Sequence, residues 1–323
     1  MEYLRSVVSN TVIQHSDFEK ARISLEQWIS SIHMLNNSIA LALVGPSRMG
    51  KSTLSKELNT RFPPQRNEDG LIQPIVYCPV PSQPSLRGLA MSMLNGLKDP
   101  FDPIIKISGE SGERALKARS VKLIKECGVK AIIFDESQHL TRDPNSKTTY
   151  AATEWIKTLI DETNIVLIMV GLETTTNLFD QNEQLLGRCM STLKLNRFDW
   201  MDNKSQAEFY GVLIAFHERM SNFDIPEFHE SDLAFRLYMA CGGLMGLLSK
   251  LLTQLVWDAI DEKRLTITIQ DFAVAYEKTM RVSDTNVAVN PFLKGSKLIA
   301  TAETIAMAKS IGTHIPAPRA RRH

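Results

Sequence analysis

LALVGPSRMGKSTLSKEL, residues 41–58, decides how the rest of the chain is read. Leu41 to Val44 is a short apolar run of the kind that forms a buried strand. The turn Gly45-Pro46-Ser47-Arg48-Met49-Gly50 leads into Lys51-Ser52-Thr53, which opens a helix. This is the G-x-x-x-x-G-K-S pattern in a strand–loop–helix setting. Its two glycines allow backbone conformations closed to residues with a Cβ, so successive amides can point at phosphate oxygens. The helix start adds the positive end of its dipole. Lys51 would place a charge between the β- and γ-phosphates, and the Ser52 hydroxyl would ligate Mg²⁺. The whole loop through Thr53 is therefore expected to hold ATP with Mg²⁺. A chance Gly-rich turn would not bring the strand, the helix and Gly-Lys-Ser together.

Outward from this stretch, apolar runs alternate with helical patterns. Residues 72–80 (IQPIVYCPV), 129–135 (VKAIIFD), 165–170 (IVLIMV) and 193–198 read as further strands. Helices are expected at 85–97, 113–127 and 150–162. Strands apolar throughout and separated by helices indicate a parallel sheet covered on both faces. From about 202 the strand signal fades, and helices fit 203–220, 231–240, 244–262 and 270–281. The expected fold class is α/β: a P-loop domain with a parallel sheet flanked by helices, then a small all-helical lid. The expected divisions are a helical lead-in at 1–38, the nucleotide domain at 39–200, the lid at 201–282 and a C-terminal extension with a basic tail at 283–323.

Composition sets limits. The 323 residues carry a net charge of +1, so any basic surface must be local. Hydrophobic content of 43% and charged content of 23% are those of an ordinary globular protein. Cys78, Cys127, Cys189 and Cys241 lie far apart without a C-x-x-C pair, against structural zinc and a disulfide framework. No apolar run has the length of a membrane span, and a cytoplasmic, membrane-free protein is expected.

Asp135-Glu136, closing an apolar strand downstream of the phosphate loop, is the expected second half of the site. Asp135 belongs beside Mg²⁺, and Glu136 can polarise the attacking water as general base. Asn-Lys-x-Asp, the guanine-reading pattern, is missing from the sequence. Arg188, in Leu185-Leu186-Gly187-Arg188-Cys189, can project toward a neighbouring subunit's γ-phosphate and stabilise the transition-state charge in trans. The bland reading is an ordinary salt-bridge arginine, and Arg197 is the fallback for the trans role.

VGPSRMGKS, AIIFDESQHL, IVLIMVGL and LLGRCMSTLKL, in this order, resemble the AAA+ ATPases of Tn7-like transposons, in particular the TniB/TnsC branch. The resemblance spans roughly residues 30–282. It implies an ATPase that assembles as a homo-oligomer, ring or filament, on double-stranded DNA. It further implies a link between a TniQ-like target-selector protein and the transposase subunits, with disassembly on hydrolysis. A polar sensor is implied near Gly171-Leu172-Glu173-Thr174, with Thr174 the candidate. The lid arginine of the family would fall near 243–246, where the sequence has none; Lys250 is the nearest cation.

A DNA-encircling oligomer needs cations facing its pore. Lys98, Lys106, Arg114, Lys117, Arg119, Lys122 and Lys125 lie between the second and third expected strands, with Arg142 and Lys147 after the Asp-Glu strand. A solvated helix face balanced by Glu110, Glu113 and Glu126 explains the same series. His139 reads as catalytic or as a hydrogen-bonding support, and Trp155, Trp200 and Trp257 as packing residues. Arg319, Arg321 and Arg322 suit DNA, a partner or simple solubility. Asn290-Pro291-Phe292 reads as a short docking element. Two further functions stay open: a replication-initiator or helicase-loader type of ATPase, and a nucleotide-gated interaction module that does not need DNA.

Overall fold

The computed structural model describes residues 2–35, 37–68, 70–98, 109–141, 147–180, 183–280, 290–295 and 298–312. In chain order its elements are α1 (Ser16–Ser31), β1 (Ile39–Val44), α2 (Lys51–Arg61), β2 (Gln65–Asn67), β3 (Gly70–Ile72), β4 (Ile75–Pro79), α3 (Leu86–Gly96), α4 (Gly109–Glu126), β5 (Ala131–Asp135), α5 (Lys147–Glu162) and β6 (Val166–Gly171). There follow α6 (Asn177–Asp180), α7 (Glu183–Leu186), β7 (Cys189–Lys194), α8 (Asn203–Arg219), α9 (Ser231–Cys241), α10 (Met245–Asp261), α11 (Ile269–Thr279) and α12 (Ala302–Lys309). The chain divides into two compact units, Asp17–Asn196 and Met1–Ser16 with Arg197–His323.

In the first unit, β1, β4, β5, β6 and β7 form one sheet in the order β4-β5-β6-β1-β7, with every pair parallel. The inner strands β1, β5 and β6 are buried at every residue, as their unbroken apolar sequences require. One face packs Ala40, Ala42, Val44, Ile132, Phe134, Leu167 and Met169 with Leu89, Met93, Trp155 and Leu159 from the helices. Because the strands run parallel, Val44, Pro79, Asp135 and Gly171 all finish at one end of the sheet. In such sheets the carboxyl ends are where ligands bind.

The edges of the sheet depart from the expected strands. The last strand is β7 at Cys189–Lys194, not 193–198. β7 lies at the sheet edge with Met190, Ser191, Thr192 and Lys194 exposed, so it has no continuous apolar run to mark it. Leu195 and Phe198 are buried outside the strand. In the small antiparallel pair β2–β3, β2 is polar and exposed, and β3 is three residues with Leu71 and Ile72 half-buried, too short to give a strand pattern. The Leu265–Ile269 segment contributes only one bridge, Asp224 to Thr266.

The second unit contains α8 to α12. Trp200 packs among Phe209, Tyr210, Phe235 and Tyr238, with ring centroids 5.1–6.2 Å away. The starts of α8 and α11 carry side-chain caps: Asp202 accepts from Ser205 N at 2.8 Å, and Thr268 with Asp271 forms a capping box. The stretch 1–38 does not stand alone, since Asp17 onward belongs with the sheet and the residues before it with the helices. Among the described residues after 283, Asn290, Pro291, Phe292, Ile305, Ala308 and Ile311 are buried. Arg197 donates to Ile311 O at 2.8 Å and to Lys309 O, and Lys309 Nζ meets Asp199 at 2.7 Å. Asn290 donates to Ala273 O at 2.8 Å and Phe292 is buried, so Asn290-Pro291-Phe292 anchors its own unit. Among the described residues no single helix is long and apolar enough to cross a membrane.

Candidate nucleotide site

The loop between β1 and α2 is built on its two glycines. A Cβ on Gly45 would lie 2.2 Å from Leu195 O, a backbone atom that cannot move aside. Gly50 has φ +92°, in the left-handed region, and forms the N-cap of α2 without any side-chain cap. The first amides of α2 are thus left for a ligand to satisfy, as an anion site requires. Arg48 also has positive φ, at 69°. Met49 is buried and anchors the loop, whereas Ser47, Arg48, Ser52 and Thr53 are exposed. Lys51 Nζ donates to Gly45 O and Pro46 O, both at 2.8 Å, folding back on the loop. Burial pushes the Lys51 ammonium below its ordinary pKa, and the charges of Asp135 and Glu136 oppose that shift.

At the end of β5, Asp135 is buried and fully engaged. Its Oδ2 accepts from Ser52 Oγ at 2.9 Å and from Tyr77 OH at 2.6 Å, and its Oδ1 accepts from Glu136 N at 2.8 Å. The two expected Mg²⁺ ligands, 83 positions apart in sequence, are thus already in contact. A hydroxyl beside a buried carboxylate, next to an uncapped helix start and a lysine, fits a hydrated Mg²⁺ bound to phosphates. Tyr77 lies on β4, the strand next to β5, and carries no motif that would have marked it. Burial, and then its bond to Asp135, pushes its phenol well above the usual range.

Glu136 is exposed and holds a left-handed conformation at φ 58°. Its Oε2 accepts from Gln138 Nε2. After β6, Thr174 is exposed while its neighbour Thr175 is fully buried, with no hydrogen-bond partner for Oγ1 among the described residues.

Arg188 is at the other end of the sheet. Its carbonyl accepts from Ala40 N at 2.8 Å, and its guanidinium pairs with Asp161 near the end of α5. From Ala40 to Gly45 is five residues of strand, about 16 Å at roughly 3.3 Å per residue. Arg188 thus stays away from the phosphate loop of its own chain. The fallback Arg197 is committed to the carbonyls of Lys309 and Ile311, and Lys250 Nζ to Thr279 O.

Of the expected DNA contacts, Lys98, Arg114 and Lys147 are exposed, and Lys117 and Arg119 are half-buried. On α4, Leu116, Ser120 and Ile124 face inward, and Lys122, paired with Glu126 at 3.7 Å, faces outward beside Lys125. Lys106, Arg142, Arg319, Arg321 and Arg322 lie outside the described residues. Trp155 is buried, and Trp257 Nε1 donates to Arg5 O at 2.9 Å.

The family model described as Bacterial TniB protein matches residues 4–199, more than half of the chain. Among solved structures, the chain is similar to the ORC1 protein of Aeropyrum pernix, solved in complex with DNA. That match has a TM-score of 0.62 and 12% identity, covering 85% of this chain and 69% of that one. It is similar also to Cdc6p from Pyrobaculum aerophilum, at a TM-score of 0.56 and 12% identity, covering 85% and 71%. A Walker-type ATPase of Pyrococcus abyssi matches at a TM-score of 0.50 and 19% identity, covering 85% and 73%. No curated protein matches the chain. At these identities the solved structures speak for the fold: a P-loop AAA+ sheet with a C-terminal helical region.

Proposed function

This chain belongs to the bacterial TniB family of AAA+ ATPases, and from that premise we propose that it is an ATP-driven regulator of DNA transposition. It would assemble as a homo-oligomer on double-stranded target DNA, link a TniQ-like target selector to transposase subunits, and leave the DNA when ATP is hydrolysed. The observation that carries this reading is the separation of Arg188 from Lys51, Ser52, Asp135 and Glu136. Four groups suited to ATP hydrolysis lie at one end of the sheet, and the arginine suited to the transition state lies at the other. A site divided in this way is completed by a second copy, which couples turnover to assembly.

In this reading the loop Gly45 to Thr53 binds the phosphates, with Lys51 leaving the carbonyls of Gly45 and Pro46 for them. Ser52 and Asp135 hold Mg²⁺, which when bound neutralises phosphate charge. Glu136 orients and deprotonates the attacking water, Arg188 serves the neighbouring copy, and Thr174 reports on the γ-phosphate. Lys98, Lys106, Arg114, Lys117, Arg119 and Lys147 contact the DNA backbone without reading sequence. The test is steady-state ATP hydrolysis with and without double-stranded DNA. DNA should stimulate turnover, and Glu136→Gln should lower it by about 100- to 10,000-fold, the share of a general base, while analogue binding persists. Turnover indifferent to both DNA and Glu136→Gln would remove the proposal.

A further inference from the structure

We propose that Gln138 is a positioning residue for hydrolysis, tying Glu136 to the turn that follows β6. The inference rests on Glu136 as the base. Gln138 lies in the single helical turn Ser137–Thr141 directly after β5, and it is buried although Glu136 is exposed. Its amide is spent in two directions: Nε2 donates to Glu136 Oε2, and Oε1 accepts from Leu172 N at 3.2 Å. Only this orientation satisfies both neighbours, since a backbone N–H can only donate and a carboxylate only accept. Room for the amide comes from Gly171, where a Cβ would fall 2.4 Å from Gln138 Oε1 and 2.4 Å from Thr175 Oγ1.

Three consequences follow from that geometry. A free glutamate on the surface samples many rotamers, and fixing it carries an entropic cost that the Gln138 bond offsets before substrate arrives. One oxygen of Glu136 is held, leaving the other for water. The same amide reaches Leu172, next to Gly171, whose carbonyl accepts from Gly45 N at 3.3 Å. The base is therefore connected through one side chain and one strand end to the start of the phosphate loop. The left-handed backbone of Glu136 marks a position held by its surroundings.

The test uses the full chain with Gln138→Leu, which loses both bonds, and Gln138→Glu, which keeps the acceptor for Leu172 N and loses the donor to Glu136. Gly171→Ala, which pushes a methyl into the amide, is the third variant. Each should lower kcat about ten-fold, a part of what the base supplies. The dissociation constant for a fluorescent non-hydrolysable ATP analogue should stay within about two-fold, since the loss belongs to the transition state. In a Glu136→Gln background, Gln138→Glu should lower kcat no further. If Gln138→Leu melts early, Gln138→Glu carries the comparison. Wild-type kcat in Gln138→Glu, or an equal loss with and without Glu136→Gln, would overturn the tether while leaving Glu136 in place. Full turnover in Glu136→Gln alone would instead overturn the hydrolytic reading beneath it.

Discussion

Arg188 is paired with Asp161, and the two meet at the end of the sheet opposite the phosphate loop. A partly exposed surface pair of this kind contributes about 0–1 kcal/mol to stability. Arg188→Ala should thus leave the melting midpoint of the isolated chain nearly unchanged. Its effect should fall on the DNA-stimulated part of ATP hydrolysis, which returns to the basal rate; for a guanidinium acting in trans the loss reaches about 1,000-fold. Mixing Arg188→Ala with Glu136→Gln should restore some turnover, because mixed assemblies contain sites with both groups intact.

Lys51 gives a pH signature. Its folded pKa lies below the ordinary 10.5, with burial the first cause. In the window from that depressed value up to 10.5, the unfolded chain holds a proton that the folded chain has released. Unfolding free energy from this group therefore rises with pH. Bound phosphates favour the ammonium, so ATP binding should take up protons in that window. Calorimetry in two buffers of different ionisation enthalpy measures the uptake. Lys51→Arg, whose guanidinium stays charged, should show none.

Tyr77→Phe removes one of the three donors to Asp135. Hydrogen bonds to charged groups contribute about 1.5–3 kcal/mol, and half-burial of the phenol places this one near the lower figure. Denaturant unfolding should show that loss. The apparent affinity for Mg²⁺ in the ATPase assay should fall as well, since Asp135 is less well oriented. An unchanged Mg²⁺ dependence would separate Tyr77 from the site.

Gly45→Ala places a methyl carbon 2.2 Å from Leu195 O, against the backbone that continues the β1–β7 pairing through Leu195 N to Val44 O. Either the loop or the strand end must shift. Destabilisation of about 2 kcal/mol or more, with loss of analogue binding, is the expected outcome by unfolding and fluorescence titration. Gly50→Ala meets only the Phe18 ring at 3.8 Å, so its cost should be the smaller one of the left-handed backbone, about 1 kcal/mol.

What could be read from the chain alone follows from how each feature is written in it. The inner strands announced themselves because burial on both faces demands unbroken apolar runs, as in Ile132, Ile133 and Phe134. The phosphate loop and Asp135-Glu136 were legible because their chemistry fixes residue type and spacing together. β7 and the β2–β3 pair were not, since an exposed edge tolerates Ser191, Thr192, Gln65 and Arg66. Tyr77 and Gln138 escaped for a different reason. Their roles depend on which strand lies beside β5 and on a turn 34 positions away, and only the folded sheet brings those together. Arg197 and Lys250 were cations near plausible places, and the structure gives both to backbone carbonyls.

A nucleotide site divided between the two ends of the sheet needs a second copy on DNA to be complete. Electron microscopy of the full chain with double-stranded DNA and a non-hydrolysable ATP analogue, beside Arg188→Ala, tests it most directly. Regular rings or filaments should form on DNA only with the analogue and should be lost in Arg188→Ala. A chain that stays monomeric with DNA and analogue, or assembles equally well without Arg188, would contradict it.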